Sequence, residues 1–378
     1  MKTYSREQFV KDVTAGIIVA IIALPLSIAL ALASGVGPEA GIFTAIVAGF
    51  VISALGGSSV QIAGPTAAFA TIVAGIVAKN GLDGLVIATI LAGIFLILMG
   101  LCHFGTLIRF IPYTITTGFT AGIAVTIVIG QLKDFFGVTY PDGVKPIETM
   151  EKLHAFVENC GTVNLSAVIV GVISLAILII SPYIFKKIPG SLLAVVAGIL
   201  MVKFLPLKAS TIGDLYSISN ALPGFHLPAL SLAAVEDAIP NAFTIAVLAA
   251  IESLLSCVVA DGMINGKHRS DMELVAQGAG NIASALFGGI PATGAIARTA
   301  ANIKNGGRTP IAGMVHSITL VLVLVVLMPY AGMIPMPTIA AILFVVAYNM
   351  CQWRPFAHLI QTAPKSDILV LLVTFFLT

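Results

Sequence analysis

From Val13 onward the chain is a succession of apolar runs separated by short breaks of Gly, Pro and charge, a pattern that suits lipid rather than water as the solvent. A water-facing surface needs charge to cover it. Here hydrophobic residues make up 58% and charged residues only 10%, against about 45–50% and 25% in ordinary globular chains. A soluble protein of two or three domains is therefore excluded. Lipid cannot satisfy exposed backbone N–H and C=O groups, so the spans are helical. At about 20 residues per crossing, 378 residues allow roughly twelve to fourteen spans and leave no room for a large soluble domain. A formal net charge of +2 gives no reason to expect a nucleic-acid partner. The lipid bilayer is the first partner implied.

The breaks predict spans over residues 13–33, 38–54, 65–79, 82–102, 111–132, 164–181, 189–206, 237–260, 272–287, 293–304, 311–328, 335–351 and 365–378, the last cut short. The first run lacks the small-residue cleavage pattern of a signal peptide and is expected to remain in the mature chain. A cytoplasmic N-terminus places Lys2, Arg6, Lys11, Arg109, Lys186, Lys187, Lys267, Arg269, Lys304, Arg308, Arg354 and Lys365 inside. Only Lys79, Lys133, Lys145, Lys152, Lys203 and Lys208 then fall outside. That bias obeys the positive-inside rule and predicts a multi-pass protein of the cell (inner or plasma) membrane. Cys102, Cys160, Cys257 and Cys351 show no CxxC or Cys/His spacing, so neither a disulfide framework nor a structural zinc is expected.

Two spans, 65–79 and 293–304, are too short to cross about 30 Å of hydrocarbon at 1.5 Å per residue. Similar text precedes them. Ser53-Ala-Leu-Gly-Gly57 leads to Gly64-Pro65-Thr66-Ala67-Ala68-Phe69, and Ser284-Ala-Leu-Phe-Gly-Gly289 leads to Pro291-Ala-Thr-Gly-Ala-Ile-Ala-Arg298. They are the third and tenth spans, and an odd repeat of seven inverts the second copy. Paired short, Gly/Pro-interrupted segments in inverted halves point to a transporter binding site near the bilayer midplane. Chance similarity of Gly/Ala-rich membrane text is the alternative.

Each short helix follows an extended stretch, so its first N–H groups lack intrahelical acceptors. Two N-termini at mid-membrane supply partial positive charge and donors suited to an anion. Thr66 and Thr293 could add hydroxyls there, or serve only as caps. Arg298 lies about one turn into the second short helix, where a buried cation needs a partner or an aqueous cavity. It could attract the anion or form an ion pair with Glu252. Glu252 is the only acid between Asp237 and Asp261. Desolvation favours its neutral form, which makes it a candidate proton carrier; the alternative is a protonated acid that only bonds between helices. Ser253 and Ser256 lie near it, Ser256 at i+4 on the same face, and either could complete a small coordination site. Gln277, Asn281, Asn302, His316 and Asn349 read as interhelical packing groups. Asp261, Lys267, His268, Arg269, Asp271 and Glu273 read as a solvated charged connection.

IAGPTAAF at 62–69, AIESLLSCVVADGM at 250–263, KH at 267–268, ELVAQGAGN at 273–281, AIARTAAN at 295–302 and HS at 316–317 resemble the SulP anion-transporter family, nearest to its bacterial four-carbon dicarboxylate branch. The similarity spans essentially the whole chain. It implies an all-α polytopic membrane protein with a seven-plus-seven inverted-repeat (UraA/SulP-like) transporter fold, its two short half-helices meeting at mid-membrane. A core domain (13–102 and 232–328) would move as an elevator against a gate domain (103–231 and 329–378). By motif the substrate site falls on Thr66 and Ala67 in one half and on Ala295, Ile296, Ala297 and Arg298 in the other, close to Glu252. In the bicarbonate branch an Asp and a Thr four residues later resemble a sodium site. Here those positions read Glu252 and Ser256, which favours protons as the coupling ion. Family members usually continue through a fourteenth segment into a cytoplasmic STAS domain, whereas this chain stops inside its thirteenth, so an incomplete gate and altered assembly are expected.

These readings predict a secondary active transporter moving sulfate or a small dicarboxylate with protons, with no cofactor, no metal and a homodimer as one assembly open to it. The rivals are a bicarbonate transporter and a nucleobase:cation symporter of the same fold. Arg298 beside the site argues against a neutral base. An enzyme is not expected, since no GxSxG elbow, HExxH pair or paired catalytic aspartates appear in the spans.

Overall fold

The computed structural model describes residues 4–106, 112–141, 143–144, 146–185, 188–205, 207–228 and 231–377. Lys2, Arg109, Lys145, Lys186 and Lys187, placed in loops by the sequence, lie outside the described residues. The helices are α1 (Arg6–Ala33), α2 (Pro38–Leu55), α3 (Ala70–Leu101), α4 (Tyr113–Phe136), α5 (Thr149–Glu158), α6 (Leu165–Ile184), α7 (Gly190–Phe204), α8 (Ile212–Leu215), α9 (Leu232–Ile264), α10 (Ser270–Leu286), α11 (Ile296–Lys304), α12 (Pro310–Ala331), α13 (Met336–Cys351), α14 (Trp353–Thr362) and α15 (Lys365–Leu377). Among the described residues, eight helical stretches are long and apolar enough to cross a membrane. Helix occupies every segment expected from the sequence, and α5, α8 and α14 are additional. Two short strands were also not foreseen: β1 (Ala63–Gly64) and β2 (Thr293–Gly294), paired antiparallel with Ala63 opposite Gly294 and Gly64 opposite Thr293.

Local chemistry explains the breaks. Gly81 inside α3 has φ 69° and ψ −171°, so the third and fourth expected spans are two helices joined at a glycine kink. Pro25, Pro182, Pro240 and Pro329 lie inside α1, α6, α9 and α12. Membrane helices tolerate them because neighbouring groups re-satisfy the freed carbonyls.

The chain divides into two compact units, Met1–Arg109 with Ile218–Pro329, and Phe110–Ser217 with Tyr330–Thr378. In the second, Phe135 of α4 packs 4.9 Å from Phe344 of α13, and Ser174 of α6 lies 2.9 Å from the Thr338 hydroxyl of α13. In the first, a core of Phe69, Val73, Leu96, Ile245, Leu254 and Leu274 joins α3, α9 and α10. Glycines let α3 and α10 touch backbone to backbone. A methyl group built on Gly278 would collide with the Gly93 carbonyl oxygen, and one built on Gly93 would lie 2.7 Å from the Gly278 carbonyl oxygen. Such small-residue crossings drive association where lipid is as apolar as leucine.

The two extended peptides of this unit need acceptors and donors that helices do not supply, and a frame of buried polar groups provides them. Glu273 is fully buried. Its Oε2 accepts the Gly57 and Ser58 N–H groups at 2.9 and 3.1 Å, and its Oε1 accepts the Gln61 and Gln277 amides at 2.8 and 2.9 Å. The sequence reading of Glu273 as part of a solvated loop is therefore corrected: four donors repay its removal from water. Asn281 grips Ala292 by both of its backbone groups, at 2.8 and 2.9 Å. Thr44 accepts the Ile290 N–H at 2.7 Å, and Ser284 donates to the Ile290 carbonyl at 2.8 Å. Asn302 donates to the Val60 carbonyl at 2.9 Å. At the cytoplasmic end expected from the charge bias, buried Asp12 accepts the Tyr4 hydroxyl at 2.8 Å, the Arg308 N–H at 2.8 Å and the Thr309 hydroxyl at 2.7 Å. This ties α1 to the start of α12.

Two stability outcomes follow, each read as reversible unfolding in detergent. Gly278→Val should cost about 1–3 kcal/mol by overpacking, and an unchanged midpoint would show that α3 can move aside freely. Glu273→Gln keeps the shape but turns an amide NH2 toward donors, so it should cost about 3 kcal/mol. A neutral result would mean that the four bonds are not what holds the 57–61 stretch.

Candidate functional site

Both half-helices grow out of the β1–β2 pair. Past Gly64, the chain runs through Pro65 and Thr66 into a single turn, Ala67–Phe69, that leads into α3. Past Gly294 it runs through Ala295 into α11. Antiparallel pairing sends the two chains out in opposite directions. The strands are only two residues long, so both helix N-termini begin within a few residues of the same ladder. Neither N-terminus carries a side-chain cap. Their first N–H groups therefore remain available as donors.

The sequence offered Thr66 and Thr293 either as caps or as hydroxyls lining the mouths. Neither caps its helix. The Thr66 hydroxyl donates to Glu252 Oε2 at 3.0 Å, joining the first mouth to α9. Thr293 is fully buried and turned away. Its hydroxyl lies 2.6 Å from Ser253 Oγ and 3.3 Å from the Ala249 carbonyl, while Ser253 Oγ also accepts the Gly294 N–H at 3.1 Å. Ser253 and Thr293 thus fasten β2 to α9. The coordinating role considered for Ser253 gives way to a structural one.

Arg298 stands in the first turn of α11 and is only 1% exposed. Its Nη2 donates to the Pro65 carbonyl oxygen, so the second half-helix holds the peptide that opens the first. Nε and Nη1 have no hydrogen-bond partner. Gly64 is what lets the guanidinium pass, because a methyl group there would lie 2.5 Å from Nη1. The ion pair with Glu252 considered from the sequence is not formed: among the described residues none of the salt bridges involves Arg298. A buried guanidinium with unmet donors is costly, and its free donors suit an acceptor of negative charge.

Ala67 and Ala295 are buried, whereas Ile296 and Ala297 are exposed at the start of α11. Ser256, one turn along α9 from half-buried Glu252, is buried with its hydroxyl unpartnered. Thr66, Glu252, Pro65 and Arg298 are thus brought together by direct bonds, while Ala67, Ile296 and Ala297 contribute backbone; the Ala295 N–H, expected at the site, is taken by the Ile62 carbonyl at 2.9 Å. Asn281, Asn302 and Gln277 serve in the frame, as the packing reading had them. Asn349 is exposed, and His316 is buried with both ring nitrogens unpartnered. Sequence reasoning missed Gln61 and Thr299. Gln61 donates to Glu273 and, at 3.3 Å, to the Ser253 carbonyl. Thr299 accepts the Ile62 N–H at 3.0 Å. The available signal was their place beside Gly64-Pro65 and Arg298.

Helix N-termini with a guanidinium suit an anion, and a carboxyl bonded to a hydroxyl beside them can exchange a proton. Comparison with known proteins agrees with an anion as the cargo. The sequence of "Putative sulfate transporter YvdB" from Bacillus subtilis (strain 168) is 44% identical over 383 residues, covering 100% of this chain and 71% of that one. "Bicarbonate transporter BicA" from Picosynechococcus sp. is 32% identical, covering 95% of this chain and 65% of its own length. The transmembrane domain of a cyanobacterial bicarbonate transporter BicA superposes with a TM-score of 0.89 at 29% identity, covering 99% of this chain and 96% of that one. SLC26A9 superposes with a TM-score of 0.88 at 20% identity, over 99% of this chain and 63% of that one, a likeness of fold. The sulfate permease family matches residues 9–374, nearly the entire chain. A multi-pass helical protein whose two uncapped half-helices share a buried, half-satisfied arginine belongs, on this match, to the sulfate permease family.

Proposed function

We propose that the chain is a secondary active transporter that carries sulfate or a small dicarboxylate across the cytoplasmic membrane with protons. The observation that carries this reading is the pair of unpartnered nitrogens on buried Arg298 beside two uncapped helix N-termini. Each N-terminus is worth roughly half a positive charge. With the guanidinium they total about two, which balances a divalent anion better than a monovalent one. The name of the Bacillus relative supports sulfate. Bicarbonate is the second reading, favoured by the BicA relatives. A neutral nucleobase would leave the guanidinium unanswered.

The Thr66–Glu252 bond supports coupling at the same place. Protonation of Glu252 would change what Thr66 bonds to, and Thr66 precedes the first N-terminus, so proton and anion act on one peptide. Ser256, with its free hydroxyl, is the second group of this pair. In this reading the unit holding β1, β2, α9 and α11 is the moving core, the other unit is the gate, and the N-terminus is cytoplasmic.

Proteoliposomes offered labelled sulfate, succinate, bicarbonate and uracil test the reading. Uptake of sulfate or succinate is expected, and uptake of bicarbonate or uracil alone would replace it. Arg298→Ala should weaken anion binding about 10- to 100-fold, the worth of a charge-assisted hydrogen bond or two. Lys at this position should recover only part, because an ammonium lacks the planar fork. Unchanged affinity in the Ala variant would assign Arg298 to structure alone. For Glu252, an inward acid gradient should accelerate accumulation, and Glu252→Gln should still exchange anion while losing that response. Accumulation that follows a sodium gradient at constant pH would overturn proton coupling.

A further inference from the structure

Between α13 and α15 lies a ten-residue helix, α14, that the transport site does not use. It cannot prolong α13. Gln352 between them has φ 44° and ψ 46°, a left-handed conformation that ends a right-handed helix. Nor can it span: ten residues reach about 15 Å, half the hydrocarbon thickness. At 100° per residue, Trp353, Phe356, Ala357, Leu359 and Ile360 share one side, and Arg354, His358, Gln361 and Thr362 share the other.

Part of the apolar side packs inward, with the Phe356 ring 5.5 Å from Phe375 of α15. The rest is open: Trp353 is 50% and Ile360 40% exposed. The indole N–H of Trp353 donates to the Tyr348 hydroxyl at 3.3 Å, and the Arg354 guanidinium lies 5.5 Å from the indole ring. The ring is thus fixed with a cation beside it. From Leu274 to Ser366 the sequence holds no Asp or Glu. Arg354, His358 and Lys365 take part in none of the salt bridges among the described residues.

We propose that α14 lies in the headgroup layer and binds anionic phospholipid. Trp353 and Ile360 sit at the acyl boundary, and Arg354 and Lys365 meet the phosphates. Three observations commit the occupant to lipid. Apolar helices enter and leave α14 on both sides, so it emerges at a membrane surface. Its open apolar face carries an indole, the side chain most at home at that depth. Its net charge is positive, since Asp367 is the one acid near Arg354 and Lys365 in the sequence, and a guanidinium matches phosphate as a fork.

Trp353 is the only tryptophan in the chain, so its fluorescence reports on this helix alone. The protein would be reconstituted in phosphatidylcholine vesicles holding equal small fractions of acyl-brominated phosphatidylglycerol or acyl-brominated phosphatidylcholine. Quenching by the brominated anionic lipid should exceed that by the zwitterionic one about twofold or more. The excess should shrink in Arg354→Gln and Lys365→Gln. It should also shrink in the unaltered protein at high ionic strength, a control that needs no folded variant. Equal quenching by both lipids, an excess insensitive to salt, or no quenching at all would overturn the proposal.

Discussion

The structure depends on one requirement: two stretches of extended backbone inside an apolar unit must have every N–H and C=O answered where water is scarce. The chain meets part of it by pairing the stretches, Ala63 with Gly294 and Gly64 with Thr293. Side chains from the surrounding helices meet the rest. Glu273 answers Gly57 and Ser58, Asn281 answers Ala292, Thr299 answers Ile62, and Asn302 answers Val60. Apart from Asn281 with Ala292, these bonds cross between segments more than 200 residues apart, so the frame exists only once the stretch after α2 has packed on α10 and α11. The glycine crossing of α3 and α10 is thereby linked to the geometry of a site it does not touch.

The two halves are alike in text and unlike in chemistry. Both present an uncapped helix start after an extended pair of residues. Yet Thr66 reaches a titratable carboxyl, while Thr293 is spent on Ser253 and the Ala249 carbonyl. The second half has Arg298 instead, bonded to the Pro65 carbonyl of the first. Glu252 and Arg298 thus both come from the second half, on α9 and α11, and the first half answers them with the Thr66 hydroxyl and the Pro65 carbonyl.

The membrane class, the helical segments and both half-helices were legible because each is a local property: apolar length, Gly/Pro breaks, and a repeated phrase. Arg298 and Glu252 stood out because charge is rare in such text. Glu273 was misread for the opposite reason. It stands among Asp261, Lys267, His268, Arg269 and Asp271, and only tertiary packing shows that its carboxylate turns inward onto Gly57 and Ser58. Thr293 was likewise ambiguous, since the same hydroxyl can cap, bind or fasten, and the choice rests on Ser253 being one helix away. The extended strands were invisible, because two residues give no period-2 pattern. α14 was passed over as a connection, though its split between Trp353 and Arg354 faces was readable.

The proposed site is built mainly from backbone donors. Ala295 spends its N–H on the Ile62 carbonyl at 2.9 Å, which leaves Ala67, Ile296 and Ala297 with theirs, so in the proposed site an anion would be discriminated by where those N–H groups point more than by side-chain identity. Their direction is set by the frame, and the frame is fixed by Glu273, Asn281, Thr299 and the Gly64 gap that admits Arg298. The difference between a divalent tetrahedron and a planar monovalent ion would reside in sub-ångström shifts of two peptides, imposed by groups that never meet the substrate.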